Sequence, residues 1–416
     1  MSGIEYDDFL DRSYEPAGSD LVCRFTVEPA AGISMEAAAS RVASESSNGT
    51  WATLHVAEDE LTHLGAVACE IDGQSITVAY PPPLFEAANM AQILSCIAGN
   101  ILGMKAVDSI RLEDCEWPAS IVEEFPGPQF GTSVAHEKLD AADRPVLATV
   151  PKPKVGLSTA AHARIGEEAW LGGIDLLKDD ENLTDQPFNP FEDRLTESLA
   201  ARDRAQDLTG ERKDYLVNVS AETTEMLDRV DLVAEHGGGF VMVDVITCGW
   251  SAVQSVRKRC DRHGLAIHAH RAMHAAFDRL EHHGVSMRVL AQVARLCGVD
   301  HIHTGTAGLG KLENEDTPGI NDWLTGDCHG LEPVLPVASG GLHPGVVDQL
   351  IDALGSEICI QAGGGIHGHP DGTHAGAKAL RQATEASMAG RSLSEHAHDH
   401  PELATALEKW GAETPR

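Results

Sequence analysis

Cations, paired cysteines and long apolar runs are all scarce in this chain, and each shortage removes a class of protein. Lysine and arginine number 31 against 64 aspartates and glutamates, a formal net charge of -33. So acidic a chain disfavours nucleic acid and anionic membranes as partners. We read the excess acid as solubility in a salty cytosol, with an ordinary acidic protein as the alternative. Full stability after dialysis from molar salt into dilute buffer would remove the first reading. The nine cysteines are scattered without a Cys-x-x-Cys pair, which argues for reduced thiols packed as small apolar groups rather than disulfides or a zinc knuckle. No run approaches the roughly 18 apolar residues of a membrane helix, and the acidic start (Glu5, Asp7, Asp8, Asp11) does not resemble a signal peptide. A soluble, cytoplasmic protein is expected.

What is present suggests two domains, since 416 residues with 42% hydrophobic content exceed most single cores. Residues 1–18 read as a flexible acidic arm. Over 19–130 the pattern runs strand (Leu21–Val27), helix (Ser34–Ala43), strand (Thr50–His55), a hairpin about Asp72-Gly73, helix (Asn89–Ile101) and strand (Val107–Leu112). That order predicts a ferredoxin-like α+β domain. Beyond Arg144, eight short β-branched runs begin near Pro145, Gly172, Asp214, Gly239, Gly264, Asp300, Leu335 and Glu357, most followed by helical patterns such as Glu222–His236, Ser286–Leu296 and Pro344–Leu354. Eight such alternations over 131–391 predict a (β/α)8 barrel. The tail 392–416, with His396, His398 and His400, reads as mobile and solvated, with metal chelation as the lesser alternative.

Barrel enzymes work at the carboxyl ends of their strands. The first strand ends in Pro151-Lys152-Pro153-Lys154, where two neighbouring cations lower each other's pKa toward acid/base use. The second ends in Lys178, Asp180 and Glu181. Those carboxylates suit a hard cation such as Mg²⁺, although a solvated charge run is the bland reading. Lys178 cannot ligate a metal as an ammonium, so it is a salt-bridge partner or a lysine changed into an acceptor. The fifth strand ends in His268-Ala269-His270-Arg271 and the sixth in His301-Ile302-His303, followed by a glycine-rich loop to Lys311 that reads as a lid. Ser339-Gly340-Gly341 and Gly363-Gly364-Gly365 close the seventh and eighth, where this fold commonly holds phosphate. Together these predict a divalent-metal enzyme stabilising an enediolate of a phosphorylated carbonyl compound. An amidohydrolase ranks low, because its His-x-His pair stands on the first strand.

Several motifs resemble the large subunit of ribulose-1,5-bisphosphate carboxylase/oxygenase (RuBisCO), most closely the archaeal form III. They are Lys152-Pro153-Lys154-Val155-Gly156-Leu157-Ser158, Gly172-Gly173-Ile174-Asp175 running into Lys178-Asp179-Asp180-Glu181-Asn182, and His270-Arg271-Ala272-Met273-His274. Glu45 to Trp51 and Gly99-Asn100 resemble the N-terminal segments that complete a neighbouring subunit's site. The resemblance implies Lys178 carbamylated by CO2, the carbamate with Asp180 and Glu181 holding Mg²⁺, and CO2 or O2 adding to the enediolate of ribulose 1,5-bisphosphate. It implies Lys152 in proton transfer beside Lys154, His270 as a base, and Lys311 steadying the new carboxylate. Arg271, His303 and Ser339 are implied at one phosphate and Gly341, Gly363 and Gly364 at the other, with Thr50 and Trp51 from a partner chain; Asn100 of the partner is implied at the metal-bound intermediate, and Gly340, Gln361, Ala362 and Glu45 in substrate binding. A homodimer or ring of dimers without a small subunit, and substrate supplied by AMP salvage, are further expectations. Pro151, Asn314 and Ala362 depart from the plant pattern as archaeal members do. The rivals are a RuBisCO-like enolase or isomerase, which usually lacks the lid lysine, and a non-catalytic barrel scaffold.

Overall fold

The computed structural model describes residues 5–53, 62–310 and 316–413. In chain order its strands are β1 (Leu21–Pro29), β2 (Val67–Asp72), β3 (Ser75–Tyr80), β4 (Val107–Glu116), β5 (Val146–Thr149), β6 (Leu176–Lys178), β7 (Asp214–Asn218), β8 (Phe240–Asp244), β9 (Ala266–His270), β10 (Gly284–Val285), β11 (His301–His303), β12 (Leu335–Ser339) and β13 (Cys359–Gln361). They fall into two compact units. One holds residues up to Pro126 with Met273–Cys297 and Cys328–Leu331; the other holds Gly127–Ala272, Gly298–Asp327 and Glu332 onward.

In the first unit, β1 alternates buried and open positions, as a half-buried strand should. The sheet runs β10-β4-β1-β3-β2, antiparallel except at its β10 edge. With helices Met35–Glu45 and Met90–Ile97 between strands, this is the ferredoxin-like order expected. Gly73 turns the β2–β3 hairpin at φ +59°. The strand expected over Thr50–His55 is absent through Thr53, and its remainder lies outside the described residues. The arm read as flexible is docked: Phe9 is buried, its amide donates to Ser40 Oγ at 2.9 Å, and Leu10 bridges Ala68. Helix Met287–Cys297, expected among the barrel helices, belongs to this unit. Its Gln292 accepts from Trp117 Nε1 at 3.3 Å and donates to Asp114 Oδ1 at 2.8 Å.

In the second unit, eight parallel strands close as β5-β6-β7-β8-β9-β11-β12-β13 and back to β5. Val146, Ala148, Leu176, Leu216, Phe240, Met242, Ala266, Val337 and Cys359 fill the interior, so the barrel is a packed core. A second cluster joins β5, β12 and β13 to the outer helices and takes in Leu393 and Leu403. Those two residues correct the expectation of a mobile tail. Helices Leu393–His396 and Pro401–Trp410 form there, and burial of Leu403 and Ala406 holds the second in place.

Candidate active site

Lys178 is the last residue of β6 and has no exposed surface. Its Nζ donates to Asp179 O at 2.8 Å and lies 3.6 Å from Glu181 Oε2. Burial lowers the Lys178 pKa from its ordinary value, against the opposing pull of Glu181, Asp244, Asp180 and Asp179. Asp180 Oδ2 meets Lys152 Nζ at 3.1 Å, while its Oδ1 accepts from Asn182 Nδ2 at 3.0 Å. Glu181 Oε2 is also 3.6 Å from His270 Nε2. Burial pushes the Glu181 pKa up, but the charges of His270 and Lys178 outweigh it and hold the pKa at about 2.

The strand end keeps its shape through Asp179, whose side chain turns away from the cluster. Its carboxylate accepts from Tyr215 OH at 2.5 Å, Asn218 N at 3.0 Å and Arg194 Nε at 3.2 Å, and His162 Nε2 stands at 3.3 Å. Burial alone raises the Asp179 pKa; Arg194, His162 and Tyr215 bring it down to about 2. Because successive strand residues face opposite ways, anchoring Asp179 outward aims Lys178 and Asp180 at the mouth.

Across the mouth, His270 ends β9 and its Nδ1 lies 2.6 Å from Asp244 Oδ1, at the end of β8. So short a contact with a carboxylate needs the proton on Nδ1. Ala272 N approaches the same Nδ1 at 3.2 Å, and we take it as the weaker contact. Nε2 is the atom that faces Glu181. Asp244 did not figure in the reading of the sequence. The signal was present, since an acid ends the apolar run Phe240–Val243 as Lys178 ends Leu176-Leu177.

His303 Nδ1 meets Ser339 Oγ at 2.6 Å, and Arg271 is buried. Gly340 and Gly341 adopt φ +107° and +92°, which favour glycine. A Cβ on Gly363 would stand 3.0 Å from Lys152 Cε, so that glycine gives the lysine its room. Gln361 and Ala362 are buried, and the Ala362 carbonyl accepts from Thr149 Oγ1 at 2.7 Å. Gly364 opens the turn beyond them, and Lys154 is exposed. Glu45, Thr50, Trp51 and Asn100 belong to the first unit, Trp51 with 81% of its surface exposed. Lys311 lies outside the described residues.

A parallel barrel with lysines, acids and imidazoles gathered at the carboxyl ends of its strands defines a (β/α)8-barrel enzyme, here carrying a ferredoxin-like domain. Comparison with known proteins narrows this. Residues 131–410 match the family model of the ribulose bisphosphate carboxylase large chain, catalytic domain, and residues 8–121 match that of its N-terminal domain. Ribulose bisphosphate carboxylase of Pyrococcus abyssi is 48% identical over 99% of this chain and 98% of that protein; that of Archaeoglobus fulgidus is 46% identical over 99% and 98%. Among solved structures, octameric Rubisco of Pyrococcus horikoshii in complex with sulfate superposes with a TM-score of 0.95 at 47% identity, covering 99% of this chain and 98% of that one. Dimeric archaeal Rubisco of Hyperthermus butylicus gives 0.92 at 46%, covering 98% and 99%. The chain belongs to the ribulose bisphosphate carboxylase large-chain family.

Proposed function

We propose that the chain is a ribulose-1,5-bisphosphate carboxylase, adding CO2 and water to ribulose 1,5-bisphosphate and breaking its C2–C3 bond to give two 3-phosphoglycerates, with O2 as a competing co-substrate. The observation that carries this is Lys178, wholly buried beside two carboxylates. Among the described residues no three His, Cys, Asp or Glu side chains converge as a metal set. A carbamate on Lys178 would add an oxygen donor beside Asp180 and Glu181. Its lowered pKa favours the neutral amine; the nitrogen bonds the carbon of CO2 and releases a proton, leaving a carbamate. That carbamate with Asp180 and Glu181 fits Mg²⁺, which when bound supplies charge stabilisation to substrate oxygens.

The chain's own groups then divide the work. His270 Nε2, its other nitrogen committed to Asp244, takes a proton from the substrate around C3. Lys152, held against Asp180, returns a proton to the C2 carbanion left when the carbon–carbon bond breaks, with Lys154 beside it. Lys311 steadies the new carboxylate. Arg271, His303 and Ser339 hold one phosphate. Backbone groups of the Gly340-Gly341 and Gly363-Gly364 turns, flanked by Gln361 and Ala362, hold the other. Glu45, Thr50, Trp51 and Asn100 come from a second copy, so a homodimer is the working unit; the dimeric and octameric relatives support a dimer or ring of dimers, and the absence of a small subunit is part of the proposal. Among the described residues no helix is long and apolar enough to cross a membrane; a cytoplasmic location, and AMP salvage as the source of the substrate, belong to the proposal. The test is CO2-dependent formation of 3-phosphoglycerate from ribulose 1,5-bisphosphate with Mg²⁺ and saturating bicarbonate. Absence of that product would overturn the assignment.

A further inference from the structure

Beneath the rim, three imidazoles run in file from the middle of the barrel to Ser339. His301 Nδ1 lies 3.3 Å from His268 Nδ1, His268 Nε2 lies 2.9 Å from His303 Nε2, and His303 Nδ1 lies 2.6 Å from Ser339 Oγ. All three rings are buried. We propose that His301 and His268 are positioning residues that fix the polarity of this chain, so that Ser339 accepts from His303 and presents its own O–H, as a donor, to the substrate.

Burial holds all three imidazoles below their ordinary pKa, and neighbouring Lys178 and His270 add to this at His268 and His303, so each ring is neutral. A neutral ring has one N–H and one lone pair. Three contacts between such groups can be filled in only two ways, because each ring that donates on one side must accept on the other. In one way donation runs outward, from His301 Nδ1–H to His268, from His268 Nε2–H to His303, and from His303 Nδ1–H to Ser339. In the other it runs inward from the Ser339 hydroxyl and ends with an N–H on His301 Nε2.

The two differ at the ends. A serine hydroxyl donates and accepts equally well and stands partly open at the rim, so that end decides nothing. His301 Nε2 is buried and has no hydrogen-bond partner among the described residues. The inward arrangement strands a buried N–H there, and the outward one only a lone pair. Orphaned buried donors are the rarer of the two in folded proteins. Charges of both signs stand at the rim, Lys152 and Arg271 on one side and Asp180, Glu181 and Asp244 on the other, so the rim imposes no direction of its own. The end at His301 therefore sets the direction for the whole file.

The inference rests on the substrate-binding role given to Ser339, and its first test does not. Neutron diffraction from perdeuterated crystals of the wild-type protein should show deuterium on His301 Nδ1, His268 Nε2 and His303 Nδ1. Deuterium on His301 Nε2, His268 Nδ1 and His303 Nε2 overturns the proposal whatever the enzyme's activity proves to be. In the carboxylase assay, His301→Leu should raise KM for ribulose bisphosphate roughly fivefold, the worth of one net hydrogen bond, with kcat nearly unchanged. His301→Asn, whose amide reaches the position of Nδ1, should restore KM. In a Ser339→Ala background the His301→Leu effect should vanish, and an undiminished effect there would show that His301 does not act through Ser339.

Discussion

Buried acids at the two ends of the barrel strands are partnered differently. At the amino ends of the strands every buried carboxylate is closed by dedicated partners. Asp175 takes both Arg144 nitrogens at 2.7 Å and the amide of Leu147. Asp214 takes Arg202 and the amides of Tyr215 and Gly239. Asp300 takes four amides, from Gln129, Phe130, Gly131 and Ile267. At the carboxyl ends Glu181 is instead shared between Lys178 and His270, both at 3.6 Å. Closed sets hold a fold; shared sets leave valence for a ligand.

Mutation should separate the ends. The largest effect is expected at Lys178: Lys178→Ala and Lys178→Cys, neither able to form the carbamate, should each lose at least a thousandfold in kcat while the thermal midpoint holds. Wild-type turnover in Lys178→Cys would end the carbamate reading. Next comes the opposite rim. Arg144→Met strands the Asp175 charge and should cost about 3–5 kcal/mol in urea unfolding, with activity per folded molecule unchanged; a kinetic defect at constant stability would break the comparison. Asp244→Asn frees the His270 ring and should lower kcat roughly a hundredfold with little change in KM or in unfolding.

The smallest effect is in pH. His367, bonded to Thr149 and Thr373 near the β5 and β13 ends, has its pKa lowered to about 4 by burial, with Lys152 adding to the shift. Unfolded, it protonates near its ordinary value, so its contribution is complete above about pH 6.5 and drains away as pH falls toward 4. The unfolding free energy from urea titration should drop between pH 6.5 and 5.5 by ~1 kcal/mol, and His367→Gln should flatten that slope. An unchanged slope in the variant would assign the acid sensitivity to another group.

Much of the architecture was legible because strand and helix periods differ. The eight barrel strands and the ferredoxin-like order were read from alternation alone, and each barrel strand begins within about four residues of its expected place. The tail was misread because its histidine-rich approach masked the short apolar stripe of Leu403 and Ala406. Helix Met287–Cys297 has a clear helical period, which says that a face is buried and not which unit buries it. At the site, residues at strand ends could be nominated one by one, and Lys178, Asp180, Glu181, His270, His303 and Ser339 were. Asp179, Asp244, His268 and His301 gained their importance only from partners 33 to 36 positions distant or on neighbouring strands.

By itself, then, the sequence determined which residues form strands, that the strands alternate with helices, and which ionisable groups stand at their ends, because those are local properties of period and position. Only the tertiary structure decided that Lys178 lies fully buried, that Asp179 faces away from the mouth, and that three imidazoles line up behind Ser339. The reason is that burial and hydrogen-bond direction belong to pairs of groups far apart in the chain, and barrel closure brings those pairs together.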